Sequence, residues 1–206
     1  MRKNALALGV ATALFGIAGV AQAGVVPGTA TTLINNSKDG TGNILIVPYF
    51  SAQNGNYSTI NIVNTDTVNG KVVKVRFRSG LNSDDVFDFQ LLMSPGDVWA
   101  GAVTADAATG ISKLVTNDKS CTQPAVISGQ LFPTSRLAST ATDIPSQTRE
   151  GYIEVLNMAD IPPSGSTAYG ADVDGTLGAT AGRLYRATKH SSSGVPTCDS
   201  TVLGRI

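Results

Sequence analysis

The chain has 206 residues, a formal net charge of zero, 22 glycines and only 15% charged residues. This length suits one domain with a sizeable core, and the balanced charge gives no electrostatic reason to bind nucleic acid or anionic lipid. A low charged fraction with abundant Gly, Thr, Ser and Asn is typical of an extracellular β protein.

The N-terminus predicts export. Arg2 and Lys3 precede an apolar stretch at residues 5–20, and the small-x-small sequence Ala21-Gln22-Ala23 follows. This is the three-part layout of a secretory signal peptide, and the apolar stretch is short for a membrane span. The alternative is an uncleaved N-terminal anchor. We expect residues 1–23 to be removed by cleavage after Ala23, which leaves a secreted or cell-surface chain with a net charge of about −2.

Strand signals begin after an extended N-terminal arm at residues 24–42. Residues 43–50 are apolar on both faces, as in a strand that is covered on both sides, and Pro48 indicates an edge or a bulge. The Asn-Gly pair in residues 53–56 predicts a turn, and residues 57–65 alternate in the manner of a half-buried strand.

Residues 71–78 and 86–92 predict a β-hairpin with one apolar face and one charged face. Side chains alternate between the two faces of a strand. The apolar face then receives Val73, Val75, Phe77, Phe87, Phe89 and Leu91, and the outer face receives Lys74, Arg76, Arg78, Asp88 and Gln90.

The remaining signals complete an all-β fold. Residues 94–97 (SPGD) predict a type II turn, residues 98–105, 111–117 and 151–158 predict strands, and residues 181–190 predict a short helix. Short strands separated by turns predict an antiparallel β-sandwich with its core in residues 43–160. The strand order resembles that of immunoglobulin-like extracellular domains.

Cys121 and Cys198 are the two cysteines of the chain. In an oxidising compartment an isolated pair most often forms a disulfide. The bond would tie the loop-rich C-terminal region, residues 161–206, to the middle of the domain. Closing a loop of about 77 residues stabilises a fold by about 4 kcal/mol.

Several segments together resemble a group of exported proteobacterial proteins that are usually labelled cell-surface or hypothetical protein. The segments are GNILIVPYF, INIVNTD, VKVRFRSGLNSDDVFDFQLLMSPGDVWAGAV, LVTNDKSC, REGYIEVLNMADI and GVPTCDSTVLGRI. The resemblance carries no established activity. It implies a longer protein, so we expect the region after residue 161 to be truncated and closing strands to follow Ile206.

The residues offer little for catalysis. A Ser-His-Asp hydrolase would have to use His190, the single histidine, which we interpret as a solvent-exposed loop residue. Two distant cysteines and one histidine make no convincing zinc set. Carboxylate pairs remain an alternative for glycoside cleavage, drawn from Asp84, Asp85 and Asp88 or from Glu150 and Glu154. We therefore predict no enzyme, no cofactor and no metal site, with incidental calcium binding by Asp172 and Asp174 as an alternative.

Lys74, Arg76 and Arg78, with Asp84 and Asp85, form a candidate surface contact. One hypothesis makes the basic strip a docking site for an anionic polysaccharide. The other, which we favour, pairs it with Asp88 and the Asp84–Asp85 loop across the hairpin. We interpret Trp99 as a core anchor rather than a sugar platform.

Three functions follow from these features. The first is an exported, non-enzymatic structural or adhesive protein of the cell surface. The second is a subunit of a surface filament, in which the arm at residues 24–42 adds a strand to a neighbouring copy. The third is a secreted carbohydrate-binding module or hydrolase. Expected partners are further copies of the chain or other cell-surface components.

Overall fold

The computed structural model describes residues 41–137, 143–163 and 182–204. The predicted signal peptide, residues 24–40 of the arm, and the alternative calcium ligands Asp172 and Asp174 lie outside the described residues.

Strands are the main secondary structure of the described chain. They are β1 (Ile44–Ser51), β2 (Tyr57–Val63), β3 (Gly70–Ser79), β4 (Asp85–Met93), β5 (Val98–Ala105), β6 (Ser112–Val115), β7 (Cys121–Gln123), β8 (Gln130–Leu131) and β9 (Glu150–Ile161). A 3-10 turn at Gln53–Gly55 and three short helices accompany them: α1 (Ile144–Gln147), α2 (Arg183–Thr188) and α3 (Ser200–Leu203). The helix α2 confirms the prediction for residues 181–190.

The strands form two antiparallel sheets packed face to face. Sheet A has the order β1-β9-β3-β4-β7, and sheet B has the order β2-β5-β6-β8. The strands β2 and β5 pair in sheet B, while the hairpin β3–β4 between them in the chain belongs to sheet A. The predicted all-β antiparallel sandwich is confirmed.

The core lies between the sheets and is rich in aromatic rings. Phe77 of β3 packs edge-on against Phe50, with ring centroids 5.6 Å apart, and Phe87 stacks on Phe132 at 4.9 Å. Trp99 is buried against Phe89, with ring centroids 5.7 Å apart. Each such ring stabilises the fold by about 1.5–3 kcal/mol through apolar burial, and Trp99 is the core anchor that its sequence context predicts.

Two predicted turns have the expected backbone. Asn54 and Gly55 have φ values of +53° and +80°, which Asn and Gly tolerate best. In the turn at residues 94–97, Gly96 has φ of +70° and the N–H of Asp97 donates to the carbonyl of Ser94 at 3.2 Å. This geometry matches the predicted type II turn.

The first strand is not covered on both sides, contrary to the prediction. β1 is an edge strand that pairs with β9, and Ile44 and Ile46 are 68% and 54% exposed. The register shifts by one residue between Val47 and Phe50, so the edge or bulge indicated by Pro48 is confirmed. The apolar residues on both faces of β1 therefore belong to an edge strand that exposes apolar side chains to solvent.

A second core lies on the outer face of sheet A. Val72 and Leu92 alternate with the inward residues of β3 and β4, and the C-terminal segment covers them. The buried members of this cluster are Val72, Leu92, Cys121, Ile161, Leu184, Ala187, Val202 and Leu203. The described C-terminal residues thus form a layer on the sandwich, and their buried side chains cluster with Val72 and Leu92.

Candidate functional site

The hairpin β3–β4 positions the charged residues that the sequence singles out. Its register sets Val75 opposite Phe89, Arg76 opposite Asp88 and Phe77 opposite Phe87. Val75, Phe77 and Phe89 are fully buried. The intervening charged residues consequently lie on the outer face of sheet A.

Most charges of this face are satisfied by one another. Lys74 pairs with Asp88, and Arg136 contacts Asp88 at 2.9 Å and Asp85 at 3.1 Å. Arg78 pairs with Glu154 of β9 at 3.2 Å. The predicted pairing across the hairpin is therefore confirmed for Lys74 and Asp88. It is wrong for the Asp84–Asp85 loop, because Asp85 pairs with Arg136 and the arginines of the strip reach Glu154 of β9 instead.

Arg76 and Asp84 are the least satisfied members of the strip. Arg76 reaches Glu154 only at 3.8 Å, and its Nε has no hydrogen-bond partner in the described chain. The carboxylate of Asp84 makes no ion pair or hydrogen bond with the described residues, whereas its backbone carbonyl accepts from the N–H of Ser79. Contact of this strip with a partner stays a prediction, and these two side chains are its best-placed members.

The ion pairs shift the pKa of Asp88. Burial acts to raise this pKa, but hydrogen bonds from Lys74 and Arg136 outweigh it and hold the pKa below its usual range. The same contact with Asp88 raises the pKa of Arg136. The carboxylate is therefore stabilised in its charged form, which is the opposite of what a general acid requires.

His190 is not the exposed loop residue that the sequence suggests. Its side chain is 25% exposed, and its Nδ1 lies 2.9 Å from the Oγ of Ser94 and 3.6 Å from the Oδ2 of Asp97. The sequence could not show this contact, because the C-terminal layer carries His190 onto the turn at residues 94–97. Ser94 and Asp97 approach the same ring nitrogen, whereas a catalytic relay needs the serine and the aspartate on different nitrogens.

The other carboxylates and the tryptophan also have structural contacts. Glu150 accepts a hydrogen bond from Tyr49 at 3.4 Å, and Glu154 faces two arginines. Trp99 is 1% exposed, so it offers no platform for a sugar ring. No group of three or more metal-ligating side chains occurs in the described parts of the chain.

A cleft of about 310 Å³ opens where the ends of β1 and β2 meet. Core residues of both sheets line it, including Leu45, Ile62 and Val73, and Gly42 is also part of its lining. This cleft has no local signal in the sequence, because its lining comes from segments that are far apart in the chain, from Gly42 to Asn157.

Asp66, which also lines the cleft, is held in its charged form. Burial acts to raise its pKa, but hydrogen bonds from the backbone N–H groups of Asn69 and Val68 and from Lys71 bring it well below the usual range. Lys71 also pairs with Asp160 at 2.7 Å. These contacts tie the loop after β2 to β3 and β9.

The disulfide joins the second core to β7. Cys121 is bonded to Cys198, with Cα atoms 5.4 Å apart, which confirms the predicted pairing. Cys121 is 1% exposed and belongs to the cluster that contains Leu184 and Leu203. The bond holds α2 and α3 against the outer face of sheet A.

The fold and its contacts define a two-sheet antiparallel β-sandwich with a disulfide-linked C-terminal layer. In comparisons with known proteins, no family model matches the chain, no curated protein matches it and no solved structure matches it. Across residues 41–137, 143–163 and 182–204 the helices are short, and none has the length and hydropathy of a membrane span.

Proposed function

We propose that the chain is an exported, non-enzymatic structural or adhesive protein of the cell surface. The observation that carries this proposal is the Cys121–Cys198 disulfide in a sandwich of moderate size. Disulfides persist in oxidising compartments outside the cytoplasm. The N-terminal pattern of residues 1–23 supports the same compartment independently.

The surfaces of the sandwich favour binding to a partner over catalysis. Three large side chains of the edge strand β1 are exposed: Ile44, Ile46 and Tyr49. An exposed apolar row beside a charged face is typical of an interaction surface. The immunoglobulin-like description belongs to this proposal, and it is supported by the pairing of β2 with β5 around the hairpin β3–β4.

A second candidate is a filament subunit in which residues 24–42 of one copy add a strand to another. The cleft between β1 and β2 favours it, because Leu45, Ile62 and Val73 of the core line this opening. An added strand could cover these side chains.

Fractionation of cells that express the full chain tests the proposal. We expect a mature protein that begins at Gly24, is disulfide-bonded, and is found in the outer-membrane or medium fraction. A matched control replaces Ala21 and Ala23 with glutamate, which should block cleavage. A reduced, uncleaved wild-type chain in the cytoplasm would contradict the proposal.

A further inference from the structure

Among the four strands that end the described sheets, β2 is long and unprotected. β7 has three residues, β8 has two, and β1 contains Pro48 and a bulge. β2 has seven residues in unbroken register with β5, without proline or a charged side chain. Natural edge strands are usually short or carry a proline, a bulge or a charged side chain, which prevents pairing with another chain.

The outward-facing backbone groups of β2 can be assigned from its register. The N–H of Asn64 donates to the carbonyl of Asp97 at 2.9 Å, directly after the pair Val63–Val98. Because the bonding direction alternates along an antiparallel strand, the odd-numbered residues turn their N–H and C=O groups away from β5. The backbone of Ala100, which lies opposite Asn61, supports this assignment. Its N–H and C=O groups point away from β2 and bond to the side chains of Asp118 and Thr116.

We propose that β2 pairs with β2 of a second copy, antiparallel and about a two-fold axis at Ile60. In this register Tyr57 lies opposite Val63 of the other copy, and Thr59 lies opposite Asn61. All four outward-facing residues then form hydrogen-bonded pairs. A one-residue shift would lose these bonds, because it would oppose outward-facing residues with inward-facing ones.

The side chains of β2 favour a second copy as the occupant. Tyr57 is 69% exposed and Val63 is 53% exposed, and the two-fold places each against the other as an aromatic and β-branched pair. The strand carries no charge, so two copies do not repel one another. The contact is narrow, below the roughly 1,200 Å² of a standard interface, and we therefore expect a weak dimer.

Cross-linking of purified mature protein tests the pairing independently of cellular location. We expect a disulfide when Tyr57→Cys and Val63→Cys proteins are mixed, because opposed hydrogen-bonded residues have Cα atoms about 5.5 Å apart. Each variant alone should not cross-link, since identical positions lie about 20 Å apart along the strands. The mixture should give roughly ten-fold more dimer than either variant alone or than Val63→Cys with Ala107→Cys, an exposed loop control. Equal yields would overturn the proposal.

Two further experiments test the register of the β2–β2 pairing and the identity of the chain segment that pairs with β2. Adding Thr59→Lys and Asn61→Lys to both partners places introduced lysines opposite one another, so the cross-link should disappear; its survival would contradict the register. Deleting residues 24–40 from both partners should leave the cross-link unchanged. Loss of the cross-link would mean that residues 24–40 hold the two copies together, as in the filament model, and it would overturn pairing through β2.

Discussion

Removing the disulfide is the perturbation whose energetic effect follows most directly from the fold. The double variant Cys121→Ala/Cys198→Ala removes the covalent link between β7 and the layer that contains α2 and α3. These helices pack on Val72 and Leu92 through buried leucine, valine and alanine side chains, so we expect the layer to remain docked in the folded state. The main effect then falls on the unfolded chain.

The magnitude follows from loop closure. The bridged cysteines are separated by 77 residues, and the chain-entropy relation gives about 4.5 kcal/mol at 25 °C for a loop of that size. Domains of this size are stable by about 5–15 kcal/mol. The double variant should therefore fold, but with a large part of its stability lost.

Urea unfolding followed by tryptophan fluorescence measures the effect, because Trp99 is buried in the main core. We expect a lower midpoint together with an equal or larger m-value. Reduced wild-type protein is the matched control and should agree with the double variant. A loss below about 1 kcal/mol, or a loss in the variant that reduction does not reproduce, would refute the loop-closure reasoning.

Two further predictions concern the core and the charged face. Gly101→Ala should destabilise the protein by about 1–3 kcal/mol in thermal unfolding, because a Cβ there would lie 2.6 Å from the Trp99 ring; an unchanged midpoint, equal to that of an Ala100→Ser control, would contradict this. Asp88→Asn should cost about 1 kcal/mol at pH 7 by urea unfolding. Since the folded pKa of Asp88 is lowered, its stabilisation is present above about pH 4 and is lost as the pH falls through the folded pKa. A deficit that stays constant from pH 7 to pH 2.5 would contradict the role of this carboxylate.

The sandwich could be predicted because alternation in β2, β3, β4 and β5 reports directly on burial. Phe77 and Phe89 lie on the core face and Arg76 and Asp88 on the outer face, as a period of two requires. The turns at residues 53–56 and 94–97 could also be predicted, because Asn and Gly adopt the positive φ values that other residues disfavour.

The C-terminal layer could not be predicted in the same way. Val72 and Leu92 form apolar doublets with Val73 and Leu91, and such doublets signal a strand covered on both faces. The identity of the cover depends on long-range packing of α2 and α3. The same packing brings His190 to Ser94, so this contact has no local signal in the sequence.

The hydrophobic pattern of the edge strands could not identify them as edges. Residues 43–50 carry the doublet signal, yet β1 lies at an edge with Ile44 and Ile46 exposed. β7 and β8 have three and two residues, which is too few for a periodic pattern. The ion pairs of Glu154 and Arg136 likewise depend on strand order rather than on sequence spacing.

Surface labelling of intact cells tests the central claim most directly. A membrane-impermeant amine reagent should label the full-length chain on unbroken cells as strongly as an outer-membrane surface marker, while a periplasmic control protein stays unlabelled. Labelling that appears only after the cells are lysed would contradict a function at the cell surface.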